Sequence, residues 1–376
     1  MVKWGCTSFC RTYLFSLNQI GLLRVTFALM QAIQTPISNL SSVDFDNLEF
    51  GKVFTDYMMV SDYNGEEWSD FDIQPLQSLS MHPATSVLHY GQAIFEGLKA
   101  YKNETKDVNI FRLKDNIKRM NASAHRMMMP QLDEGKTKEA IMQYVAEQKA
   151  WIPNRSQGSL YVRPFMISTD NTLRAVASQT YRLIVIACPV GFYYDTPLSI
   201  FLEKEHRRAA KGGVGYAKAA GNYAASFYPS VRAKNLGFDQ VLWTDITNNF
   251  ALEELGSANF FYVKNGNIHT PKMHDSILKG ITRDTVINLA KDAGITVTSE
   301  LITADDFEKD LAAGEVECMF ATGTAAAITY VNAITIGENK YEVNSNQYGP
   351  VLRLKEQLDA AKFLDSDKHP EWNVIV

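Results

Sequence analysis

The stretch KGGVGYAKAAGNYAAS, residues 211–226, decides how this chain is read, because nearly every side chain around Lys218 is reduced to hydrogen or methyl. Glycine and alanine let backbone and ligand approach closely, so a long amine kept in such surroundings suggests a partner lying hard against the main chain. The bland reading is a solvated lysine on a flexible loop, which is where most lysines are found. Two phosphate-binding loops are excluded by spacing. A Walker A loop has Gly before its lysine and Ser or Thr after it, where this chain has Ala217 and Ala219. A dinucleotide fingerprint begun at Gly213 needs its third glycine at position 218, which is the lysine itself.

Outward from that stretch, 376 residues give room for two domains, and 46% hydrophobic with 21% charged residues is ordinary globular composition. A net charge of -5 gives no general attraction to nucleic acid or to an anionic membrane, so small molecules are the expected partners. Cys6, Cys10, Cys188 and Cys318 have neither metal-ligand nor disulfide-framework spacing, so no metal site and a reducing compartment are expected. No Asp or Glu precedes Asp44, whereas Lys3, Arg11 and Arg24 make the N-terminal segment basic, like a transit peptide. Its apolar run, residues 13–32, is broken by Asn18, Gln19 and Arg24 and is a poor membrane span. Met30 is an alternative start that would make residues 1–29 an extension. The expected location is cytoplasmic, or the mitochondrial matrix if the basic segment directs import.

Mixed α and β patterning begins near Phe50. VFTDYMMV (53–60) and SLYVRPFMI (159–167) read as strands, and DNIKRMNASAHRM (115–127) reads as a helix. YRLIVIACPVGFYYDTPLSIF (181–201) starts as a buried strand and crosses a Pro/Gly/Tyr-rich bend, the expected interdomain connection. The expected organisation is an N-terminal extension (1–44), a small α/β domain (45–190), a connecting loop (191–201) and a larger α/β domain (202–376) that carries Lys218. In the latter, DQVLWTD (239–245) reads as a strand, FFYV and IHT form a hairpin about Asn265-Gly266, and ITRDTVINLAKDAG (281–294) is a helix stopped by Gly294.

Several small features in the second half share one chemistry. Gly280, Ile281 and Thr282 stand at a helix start, whose free amides receive phosphate. ATGTAAA (321–327) offers the Thr322 and Thr324 hydroxyls to an anion, and ALEELGSANF (251–260) places Glu254 just before Gly256 and Ser257. Each alone reads as a capped helix, a tight turn or a solvated carboxylate. With a lysine among glycines they suggest pyridoxal phosphate, which needs an amine for its aldehyde, amides for its phosphate and an acid facing its pyridine nitrogen.

GGVGYAKAAGNYAAS (212–226), LEELGSANFF (252–261), SLYVRP (159–164) and LHYGQAIFEGLKAY (88–101) together resemble the branched-chain amino acid aminotransferases of fold type IV, over roughly residues 45–365. The resemblance implies a two-domain pyridoxal-phosphate enzyme, α/β (mixed α+β), that moves amino groups between leucine, isoleucine or valine and 2-oxoglutarate. A homodimer is implied in the same way. Lys218 then carries the cofactor as a Schiff base and moves the substrate proton, Glu254 faces the pyridine nitrogen, and Tyr223 meets the ring oxygen. Glu253 is expected to be merely solvated. Arg119, the Ile281 and Thr282 amides and the Thr324 hydroxyl would bind phosphate. Tyr90, Phe95, Tyr161 and Tyr193 would form an aromatic wall, Thr324 and Ala325 would hold the α-carboxylate, and Arg163 the distal carboxylate of glutamate. Ala326 and Thr329 stand where some animal members carry a Cys-x-x-Cys pair, so thiol regulation there is not expected. The alternatives are a fold type IV transaminase for D-amino or aromatic acids, and a binding protein that keeps the fold without the chemistry.

Overall fold

The computed structural model describes residues 38–192, 196–346 and 348–376. The first sheet contains β1 (Tyr57–Tyr63), β2 (Asp72–Pro75), β3 (Ala93–Phe95), β4 (Leu98–Lys102), β5 (Val108–Ile110), β6 (Ser159–Ser168) and β7 (Tyr181–Val190). Its order is β2-β1-β7-β6-β4-β5, with β3 also on β6, and every pairing is antiparallel. Both β3 and β4 pair with β6, so Glu96 and Gly97 form a short break in one long edge. The helices of this half are α1 (Val87–Tyr90), α2 (Leu113–Arg126) and α3 (Glu134–Glu147). Leu113 and Ile117 of α2, with Ile141 and Tyr144 of α3, form a buried core with Leu98, Ile110 and Val162 of the sheet. This is the apolar stripe of an amphipathic helix laid on a sheet.

The second half begins with β8 (Leu198–Leu202) and contains β9 (Gln240–Thr244), β10 (Leu252–Leu255), β11 (Asn259–Lys264), β12 (Asn267–Pro271), β13 (Val297–Glu300), β14 (Val316–Gly323), β15 (Ala327–Ile336) and β16 (Asn339–Glu342). The path β10-β9-β8-β15-β14-β11 closes on itself where Glu254 of β10 pairs with Asn259 of β11. Closure removes two sheet edges, and Leu242, Phe260, Met319 and Val331 belong to the buried core of this sheet. The helices here are α4 (Ala220–Ala224), α5 (Phe227–Asn235), α6 (Ile281–Asp292), α7 (Ala304–Ala312) and α8 (Gly349–Lys362). Val286 and Leu289 of α6, with Leu354 and Leu358 of α8, pack on the stacked pair Phe261–Phe320. The expected hairpin is present, turning through Asn265 and Gly266 with positive φ at both, as a type I′ turn requires.

The first sheet ends at Val190 and the second begins at Leu198, while residues Asn39–Val376 form one compact unit. Residues 1–37, with the basic segment, and residues 193–195 of the connecting loop lie outside the described residues. The two halves meet beside Lys218: Ile94 bridges Ala219, and the Phe95 N–H donates to the Lys218 carbonyl at 3.1 Å.

Candidate functional site

Lys218 is fixed by its own backbone. Its N–H donates to Ser123 Oγ of α2 at 2.9 Å, so the residue is tied to both halves of the chain. The glycines that precede it have separate tasks. Gly212, at φ 79°, makes a turn that a side chain would strain, and a Cβ on Gly215 would fall 2.4 Å from the Ser276 carbonyl oxygen. Close backbone packing is therefore what the small residues supply. The Lys218 amine projects into a cavity of about 410 Å³, where it donates to the Tyr223 hydroxyl at 2.9 Å and lies 4.6 Å from the centre of the Phe95 ring.

Glu254 faces the same cavity from β10, buried to 5% exposure. Arg208 Nη2 lies 2.6 Å from its Oε1, the Leu278 N–H donates to it, and Asn259 Nδ2 donates to Oε2 at 3.2 Å. Burial raises its pKa above the ordinary carboxylate value, and the Arg208 guanidinium opposes that shift. Sequence reasoning misses Arg208, because nothing in HRRAA separates it from its neighbour Arg207.

Glu253 corrects an expectation. It is 2% exposed rather than solvated, accepts from the Ser276 hydroxyl, and its pKa is raised by burial. All of β10 is buried, so the alternation that would turn one of two successive glutamates to water does not operate here.

Around the cavity stand Arg119, Ile281, Thr282, Thr322 and Thr324. Gly280 caps α6 in extended conformation, leaving the first amides of that helix for a ligand. The Thr322 hydroxyl is buried without a partner among the described residues. Arg119 makes a two-pronged pair with the buried Glu96, at 2.7 and 2.8 Å, and donates to the Lys279 carbonyl, which leaves guanidinium N–H groups to spare. Burial works against its charge, but Glu96 holds its pKa above the usual arginine value. Glu96 is likewise missed in the sequence: its role comes from the break between β3 and β4, which has no local signature.

Phe95, Tyr161, Arg163 and Ala325 complete the wall, with Phe50 added by the structure. Arg163 donates to the Tyr161 hydroxyl at 3.0 Å and lies over the Phe95 ring at 4.6 Å, while its Nε is buried and unpartnered among the described residues. Gly97 makes room for this wall, since a Cβ there would meet the Tyr161 hydroxyl at 1.9 Å. Tyr90 is not brought to the cavity. It is 46% exposed, and its hydroxyl donates to the Leu173 carbonyl. Tyr193 lies outside the described residues. A larger cavity, about 640 Å³, lies beyond Ala325 and lacks the lysine, glutamate and helix start, so the chemistry belongs to the smaller one.

The family model for class IV amino-transferases matches residues 93–334. Branched-chain-amino-acid transaminase 1 of Bacillus subtilis (strain 168) is 45% identical over 339 residues, 89% of this chain and 95% of the relative. Among solved structures, the branched-chain aminotransferase of Thermoproteus uzoniensis, with norvaline, superposes with a TM-score of 0.69 at 25% identity, covering 85% of this chain and 99% of that one. The branched-chain amino acid aminotransferase of Escherichia coli superposes with the same TM-score, 0.69, at 24% identity, covering 85% and 98%, which adds to the likeness of fold.

Proposed function

Because this chain belongs to the class IV aminotransferases, we propose that it moves amino groups between leucine, isoleucine or valine and 2-oxoglutarate, with pyridoxal phosphate held on Lys218. The observation that carries this reading is the convergence of Lys218, Tyr223, Glu254 and the α6 start on one cavity. These residues fit the cofactor. The amine suits its aldehyde, the buried Glu254 suits its pyridine nitrogen, and the orphaned Thr322 hydroxyl with the free α6 amides suits its phosphate. When bound, the cofactor supplies an electron sink for the bond broken at the substrate α-carbon.

The chain's own residues do the rest. With the cofactor bound, the Lys218 amine would accept the proton lost from the substrate α-carbon and donate it to the carbon that bore the cofactor's aldehyde. Tyr223 orients that amine through the 2.9 Å contact. Glu254, whose charge Arg208 supports against the opposing effect of burial, would hold a proton on the pyridine nitrogen. Arg119, positioned by Glu96, adds a permanent cation to the phosphate cradle. Phe95, Tyr161 and Phe50 give branched side chains an apolar face, and Arg163 offers its charge to the distal carboxylate of glutamate.

A homodimer and a cytoplasmic location belong to the same proposal and are tested by light scattering and by fractionation. The activity is tested by a donor and acceptor screen on purified, cofactor-loaded protein. Leucine, isoleucine and valine with 2-oxoglutarate are expected to turn over; preference for D-alanine or phenylalanine would replace the branched-chain assignment with another class IV specificity.

A further inference from the structure

Lys99 of β4 is 8% exposed, yet no carboxylate pairs with it among the described residues. Its ammonium donates to the Ala325 carbonyl, at 3.4 Å. Ala325 lines the 410 Å³ cavity on one side and the 640 Å³ cavity on the other, and Lys99 reaches it from the second. Two other cations stand near this side of the Gly323–Ala325 segment, but both are neutralised: Arg112 by Asp115 and Asp284, and Lys362 by Asp359. Burying an ammonium without an anion is costly, so its retention calls for a use.

We propose that Lys99 is a positioning residue for substrate, its ammonium holding the Ala325 carbonyl from behind and adding positive charge under the turn that receives the substrate carboxylate. The carbonyl it holds belongs to the peptide unit whose N–H is that of Ala326, so Lys99 acts on the Thr324 and Ala325 amides by fixing the turn and by adding charge through space. The inference rests on the branched-chain reading for its choice of ligand. The groups facing Lys99 are Lys362 and Asp359 of α8 and Cys188 of β7, with Glu104, Arg155 and Lys355 around the same cavity. Burial and Lys362 together push the Lys99 pKa down to about 7, so the charge is present below neutrality and lost above it.

The test is calorimetric binding of 4-methylpentanoate to the cofactor-loaded protein, since this probe has leucine's chain and carboxylate but no reactive amine. At about pH 6, Lys99→Met is expected to bind it roughly tenfold more weakly than the wild type, while binding of the neutral 4-methylpentan-1-ol is unchanged. The wild type is expected to lose affinity between about pH 6 and about pH 8.5 by more than the variant does. Lys99→Gln, which keeps a donor without the charge, serves if the methionine variant does not fold. Equal affinity of wild type and variant at the lower pH overturns the inference alone. A wild type that binds no 4-methylpentanoate and does not transaminate leucine overturns the branched-chain reading and this inference with it.

Discussion

Lys218 could be picked out at the scale of single residues because glycine and alanine surround it, and Glu254, flanked by Glu253 and Leu255, could be chosen only through the family resemblance. Their supports could not. Arg208, Glu96 and Ser123 reach the site from outside those patterns, through contacts that only the folded chain creates. Glu254→Gln should keep the cofactor but slow α-proton removal, because a neutral amide does not hold charge on the pyridine nitrogen. The Glu253→Gln control touches the Ser276 side of the strand and should be milder in activity. Stopped-flow half-reactions separate the two, and the reverse ranking would assign the wrong glutamate. Arg163→Ala should harm glutamate and 2-oxoglutarate far more than leucine, since a distal carboxylate left unpaired in the wall costs on the order of 3 to 5 kcal/mol. Leucine loses mainly the guanidinium's packing on Phe95 and Tyr161. Equal losses on both half-reactions would make Arg163 structural.

Among the elements, α6 and the Asn265-Gly266 hairpin were legible because helix stops and type I′ turns leave local signals. Barrel closure through β10–β11 and the parallel β8–β15 pairing were not, since pairing between distant strands has no such signal. The break between β3 and β4 is equally silent, yet it delivers both Glu96 and the space for Tyr161. The N-terminal end of α6 gives a prediction at this scale. A Cβ on Gly280 would stand 1.9 Å from Asn259 Oδ1, and Asn259 is the residue that donates to both Glu254 and the Leu278 carbonyl. Gly280→Ala should therefore weaken cofactor retention and lower stability by about 1 to 3 kcal/mol through overpacking. Urea unfolding and cofactor titration check this, and an unchanged midpoint with unchanged retention would mean that Asn259 yields freely.

At the scale of the whole molecule, the site exists because two sheets, each with its own core, are joined at Lys218 by the Phe95 and Ser123 contacts. The same packing buries Lys99, whose pKa falls from 10.5 to about 7. Between those values the unfolded chain holds a proton on this lysine that the folded chain has released, so this group makes stability rise with pH across that window. Lys362, lowered by burial as well, acts in the same direction. Lys99→Met should flatten the rise and stabilise the protein at neutral pH, as read by urea unfolding at several pH values; an unaltered slope would mean that Lys99 titrates normally. Every role assigned to the cavity depends on Lys218 being the amine that holds the cofactor. Borohydride reduction of the cofactor-loaded protein, followed by digestion and mass mapping, tests that most directly: the added mass is predicted on Lys218 and absent after prior exposure to leucine, whereas its appearance on Lys211 or Lys99, or no adduct at all, would contradict the account.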